Sequence, residues 1–113
     1  MQNNSSKFKK KITLMIDTSS NQHISVGLRI DDKTDTKRTK IDARKAQVVL
    51  PMLEKLLNNH RLKPTDITAI EVHTGPGSFT GLRVGISIAN ALSFALHIPI
   101  NGNDIDNFVA PRY

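Results

Sequence analysis

The sequence predicts an α/β domain, one mixed sheet with helices packed on it. Three observations lead there: short apolar runs bounded by turn residues open the chain, two long segments carry apolar residues at helical spacing, and strands alternate with helices from residue 42 onward. That alternation builds parallel crossovers behind an antiparallel start. At 113 residues the chain has the length of a single domain, and no internal repeat or linker divides it.

Each element follows from its residues. Residues 1–10 form a basic, polar start expected to be disordered. Lys11 to Asp17 is an apolar run ending in Asp-Thr-Ser-Ser-Asn, a buried strand followed by a loop. Gln22 to Ile30 alternates about Ile24, Val26, Leu28 and Ile30, the period of a half-buried strand. Asp31 to Asp35 reads as a hairpin turn, and Thr36 to Ile41 as the charged return strand. Asp42 is placed to cap a helix from Ala43 to about His60, with Ala46, Val49, Leu50, Leu53 and Leu57 on one face. Pro51 inside it removes a backbone donor and is expected to bend it. Leu62 to Asp66 connects to a buried strand, Ile67 to His73. After a glycine loop, Ser78 caps the longest apolar helix, which runs to His97. Ile98 to Ile100 begins a fifth strand, and Asp104 is placed to cap a stub helix carrying Ile105, Phe108 and Val109.

Composition excludes several classes. There is no cysteine, so disulfides and thiolate metal sites are absent and the cytosol is the expected compartment. Lys9-Lys10-Lys11 leads into only Ile12 to Ile16 before Asp17, too short an apolar core for a secretory signal. Val84 to Ile100 is uncharged but contains Gly85, Ser87, Asn90, Ser93, His97 and Pro99, so a buried helix is expected rather than a membrane span. The net charge of +6 is uneven: residues 1–66 carry 14 Lys or Arg against 7 Asp or Glu, and residues 67–113 carry 2 against 3. A basic front half suits nucleic acid by counterion release, or simply keeps a small domain soluble.

Two stretches resemble phosphate sites. His73 to Gly85, "HTGPGSFTGLRVG", joins a strand to a helix through glycines and hydroxyls. It fits no Walker frame, because no lysine stands at the required place, and its third glycine is one residue late for a dinucleotide fingerprint. A tight strand-to-helix reversal explains the glycines without a ligand. Asp17-Thr18-Ser19 at the end of the first strand could hold a hydrated magnesium ion beside a phosphate. The four histidines show no ligand spacing, and no nucleophile stands beside a base; Ser78 would be the first to test.

The long helix asks for more cover than one sheet supplies. Gly81, Gly85, Ala89 and Ser93 recur every four residues, a small-residue ridge that admits a close neighbour. Phe79, Leu82, Val84, Ile86, Ile88, Leu92, Phe94 and Leu96 occupy much of the remaining circumference. The first helix adds Val48 and Met52 off its main stripe. The expected partner surface therefore comprises Val48 and Met52, with Ser78, Phe79, Gly81, Leu82, Arg83, Gly85, Ile86, Ala89 and Ser93.

The run "GPGSFTGLRVGISIANALSFALHIPI" from Gly75 to Ile100, preceded by "ITAIEV" and by "ITLMIDTSS", closely resembles the TsaB (YeaZ) family. The resemblance extends from about Lys11 to Phe108. It implies a single actin-like ATPase lobe (the ASKHA, ribonuclease H-like architecture) with a mixed five-stranded sheet, over residues 11–113. It also implies a role in threonylcarbamoyladenosine synthesis in tRNA, as a non-catalytic subunit that pairs with TsaD through the two helices. The resemblance further implies that TsaE docks on that pair, that the chain alone forms a homodimer through similar surfaces, and that tRNA is the substrate of the complex. On this view the chain needs no cofactor or metal of its own, ATP and magnesium entering only in the complex, and it has no membrane partner. Asp17, Thr18 and Ser19 match the superfamily's first phosphate loop without its glycine, and are expected to be a relic. Family members usually carry a second lobe after this one. They often have His-Ser-Glu where this sequence has Lys45-Ala46-Gln47. The alternative is a nucleotide-binding ATPase lobe using Asp17, Thr18 and the Gly75–Gly77 turn.

Overall fold

The computed structural model describes residues 10–40, 45–105 and 107–112. The expected disordered start, apart from Lys10, and the Asp42 cap with the Ala43 helix start lie outside them. Strands β1 (Ile12–Asp17), β2 (His23–Ile30), β3 (Lys33–Lys40) and β4 (Ala69–Val72) form one sheet in the order β3-β2-β1-β4. β1 pairs antiparallel with β2 and parallel with β4, and β2 pairs antiparallel with β3. Helices α1 (Lys45–Asn59) and α2 (Phe79–Leu96) contribute to a single core with the sheet, and a short 3-10 turn at Pro64–Asp66 leads into β4.

The sheet's alternation decides which face the helices cover. Leu14 and Ile16 of β1, Ile24, Val26 and Leu28 of β2, and Ile70 and Val72 of β4 are buried with Val49, Leu53, Leu56 and Leu57 of α1 and Leu82, Ile86 and Ala89 of α2. In α1 the buried positions 49, 53, 56 and 57 follow the helical period, which brings in Leu56 and leaves Leu50 half exposed, contrary to the expected stripe. α1 continues through Pro51, which is exposed. On the other face Arg29 of β2 reaches across β1 to an ion pair with Glu71 of β4 (2.5 Å). That hydrogen bond and the carboxylate charge raise the Arg29 pKa.

The hairpin is tighter than expected. Ile30 pairs with Lys33, so the turn is only Asp31-Asp32, with Asp31 at φ 54°, and β3 starts three residues before Thr36. Pairing with β2 carries β3, since KTDTKRTK contains no apolar residue.

The expected fifth strand is reduced to one parallel bridge, so four strands stand among the described residues. Ile70 N–H donates to the Pro99 carbonyl (3.0 Å) and Asn101 N–H donates to the Ile70 carbonyl (2.8 Å). The chain then turns at Asn101 and Gly102, both at positive φ. The Asn101 side chain continues the ladder: its Oδ1 accepts from Val72 N–H (2.8 Å) and its Nδ2 donates to the Val72 carbonyl (3.0 Å). No stub helix follows Asp104 among the described residues. One turn closes there, where Asn107 N–H donates to the Asp104 carbonyl (3.1 Å), and the tail crosses α2 instead. Asn90 of α2 clasps Val109 through Nδ2 to the carbonyl (2.9 Å) and Oδ1 from the N–H (3.0 Å), while Phe108 packs edge-on to Phe94.

Candidate partner-binding site

The two phosphate-like stretches lie against each other. Ser78 N–H donates to the Ser19 carbonyl (2.8 Å), and the Ser78 hydroxyl caps α2 by accepting from Gly81 N–H (3.2 Å). Gly77 abuts Ser19, where a Cβ would lie 2.5 Å from the serine Cβ. Gly75, at φ 146°, lies against the backbone of Arg112, whose N–H donates to the Thr74 carbonyl (2.6 Å). His73 Nε2 donates to the Pro76 carbonyl (2.9 Å), closing the loop on itself. Asp17 turns back on its neighbour: Oδ1 accepts from Ser19 N–H (2.9 Å) and from the Ser19 hydroxyl (2.6 Å). Backbone amides and hydroxyls that would meet a phosphate here serve a joint between β1 and α2.

Thr18 completes that joint. Its buried hydroxyl donates to the Gly81 carbonyl (2.5 Å) and accepts from Gly85 N–H (3.0 Å), serving both ends of one i, i+4 pair of α2. A Cβ at Gly85 would collide with Thr18 Oγ1. The small-residue ridge is therefore turned inward. Gly81, Gly85, Ala89 and Ser93 are all buried, with Leu82 and Ile86, and Ser93 Oγ donates to the Ile98 carbonyl (2.6 Å). At Gly81 and Gly85 the neighbour that the ridge admits in this structure is β1 and its loop, and at Ser93 it is the Ile98 backbone.

The outward face of α2 is what remains. Phe79 is 58% exposed and Phe94 65% exposed. Phe79, Thr80, Arg83, Val84, Ser87 and Ile88 line an open depression of about 430 Å³, with the Arg83 guanidinium 5.5 Å from the Phe79 ring centroid. Beside it, a groove of about 410 Å³ runs between α1 and α2, lined by Leu50, Leu53, Leu57, Leu62, Ile67 and Leu92 among others. Of the expected surface residues, Phe79 and Arg83 are exposed and Ser78 and Val48 half-buried. Met52 is also half-buried, but faces β3 with Lys37 and Lys55 rather than α2. Leu50, exposed, and Val84 and Ile88, half-buried, also line these two depressions and were not in the expected set; the helical period places Val84 and Ile88 one turn apart on the side opposite Ala89 and Ser93. Gln47 is exposed, and the Lys45 and Ala46 side chains lie outside the described ones.

The open face of the sheet holds a further cavity of about 370 Å³ with Met15, Asp17, Ser25, Thr36, Glu71 and His73 in its lining. Among the described residues no three His, Cys, Asp or Glu side chains stand together as a metal site. α2 is long and apolar enough by length and composition to cross a bilayer, yet its inner face is built into the core of the sheet.

Residues 40–103 match the protein family described as TsaD, tRNA N6-adenosine threonylcarbamoyltransferase. The tRNA threonylcarbamoyladenosine biosynthesis protein TsaB of Escherichia coli (strain K12) is 36% identical, over 79% of this chain and 38% of its own length. The protein of that name from Bacillus subtilis (strain 168) is 35% identical, over 57% of this chain and 33% of its own. The solved structure of YeaZ from Pseudomonas aeruginosa superposes with a TM-score of 0.76 and 32% identity, covering 83% of this chain and 44% of that one. The chain belongs to the TsaB (YeaZ) family. It spans between a third and two fifths of the length of these two curated TsaB relatives. Membership accounts for the actin-like α/β lobe, with four strands rather than five among the described residues.

Proposed function

We propose that this TsaB-family lobe is a non-catalytic subunit of the cytoplasmic machinery that makes threonylcarbamoyladenosine in tRNA, and that it binds and activates or stabilises TsaD through the outward faces of α1 and α2. The observation that carries this reading is the apolar surface formed by exposed Phe79, half-buried Val84 and Ile88, and the Leu50 groove, on helices whose other sides already close the chain's own core. A surface of this kind on so small a lobe fits a protein partner, with Phe79 and Arg83 as anchoring side chains at its rim. The same surface would support a homodimer when TsaD is absent, and TsaE would join the TsaD pair. Residues 11–113 act as one lobe in this role, without nucleotide or metal of their own. Light-scattering mass of the chain alone and mixed with TsaD tests the reading: a heterodimer that displaces self-association is expected, and a chain indifferent to TsaD overturns it.

A further inference from the structure

The helical face leaves one strongly charged surface without a role, the outer edge of the sheet. β3 carries Lys33, Lys37, Arg38 and Lys40. The register sets Lys37 and Arg38 opposite Val26 and Ser25, which pair in turn with Ile16 and Asp17, so these cations lie at the loop end of β1. There β3 and α1 border a cleft of about 270 Å³ lined by Lys37, Arg38, Thr39, Met52, Lys55 and Asn59.

Lysines on an edge strand ordinarily serve to keep other strands away. This cleft goes further in three respects. Lys55 enters it from a different element. No carboxylate lines it, and among the described residues Arg38 and Lys55 form no ion pair. The acid within reach of Lys37 is Asp35 at 3.9 Å, which is held more closely by His60 at 2.8 Å. Arg38 and Lys55, uncompensated, repel one another and Lys37, and a polyanion relieves that repulsion. Thr39 and Asn59 add side-chain donors of the kind that meet phosphate oxygens. The lining contains no aromatic ring on which a base could stack, which suits backbone contact rather than base readout.

We propose that the β3–α1 cleft binds the sugar-phosphate backbone of the tRNA directly, without reading its sequence. The proposal rests on the reading of the chain as part of a tRNA-modifying machinery. Its test is the fluorescence anisotropy of a labelled, unmodified tRNA transcript titrated with the full chain across a salt series. The variant Lys37→Gln/Arg38→Gln/Lys55→Gln, which removes the three cations of the lining, is compared with Lys10→Gln/Lys11→Gln/Lys63→Gln, which removes equal charge, including two lysines at the opposite end of β1. The cleft variant is expected to bind about tenfold more weakly at low salt and to flatten the log–log salt slope by about two, since each lost phosphate contact removes roughly 0.7–0.9. The control should keep most of the affinity.

Equal losses in both variants, or wild-type affinity in the cleft variant, overturn the proposal. So does salt-independent association or a wild-type chain that does not bind. Light scattering of the same samples with TsaD separates the two readings. A cleft variant that loses TsaD but keeps tRNA marks the cleft as a site for an acidic protein surface and overturns the proposal. A wild-type chain that ignores TsaD but binds tRNA through the cleft removes the scaffold reading and leaves the cleft standing.

Discussion

The Thr18 hydroxyl and the Gly85 amide are hydrogen-bonded at 3.0 Å across 67 residues of sequence, and the absence of a side chain at Gly85 is what permits the approach. Thr18→Val removes the acceptor of Gly85 N–H and the donor to the Gly81 carbonyl, both in buried surroundings. The expected cost is about 1–3 kcal/mol, read from urea unfolding. Gly85→Ala should cost a similar amount by overpacking, and combining it with Thr18→Ala should recover part of the loss. Additive losses would show that the two positions do not meet. Gly85→Leu would disrupt this joint outright, so loss of partner binding in that variant would not report on the partner surface.

Substitutions on the outward face should separate binding from folding. Phe79→Ser and Ser87→Glu, at two exposed positions of the same depression, are expected to weaken TsaD association at least tenfold, by loss of an interface anchor and by a charge set against an apolar contact. Their unfolding midpoints should stay near that of the wild type. Unchanged heterodimer mass in both variants would exclude this face.

Calorimetry of the isolated chain with ATP and magnesium should give no saturable heat, because Asp17, Ser19 and Ser78 are bonded to one another at the place a phosphate would occupy. Saturable binding that disappears in Asp17→Ala would restore the nucleotide reading.

The two asparagine clasps should report on local order. Asn90→Ala is expected to expose the Val109 amide to hydrogen exchange with little change in global stability, since it holds only the tail. Asn101→Ala leaves both polar groups of Val72 without their partner and should cost about 1–3 kcal/mol of global stability. Equal protection of Val109 in wild type and Asn90→Ala would refute the first expectation.

The parts of this fold that were legible in the sequence are those carried by periodic apolar residues. Ile24, Val26 and Leu28 mark β2, and Ser78 with the run to Leu96 marks α2 together with its cap. β3 was legible only as the return of a hairpin, because backbone pairing and not side-chain burial holds it. The ridge Gly81-Gly85-Ala89-Ser93 was legible as a close-approach surface, but small residues admit a neighbour from the same chain or another equally well. The residue that decides, Thr18, is remote in sequence and reads there as a phosphate ligand. Asn90 and Asn101 left no signal, since an amide that stands in for a strand is defined only by the backbone it meets.

The reduced fifth strand bears on how the molecule behaves at high concentration. On the β4 side, Pro99, Asn101 and the Asn101 amide already satisfy the backbone of Ile70 and Val72, so a strand from a second molecule finds no free rung there. On the other side, an incoming strand must lie along Lys33, Lys37, Arg38 and Lys40. One border is sealed and the other electrostatically guarded, so the sheet does not grow by addition of further copies. Any self-association is thereby directed away from fibre-like stacking and toward the helices.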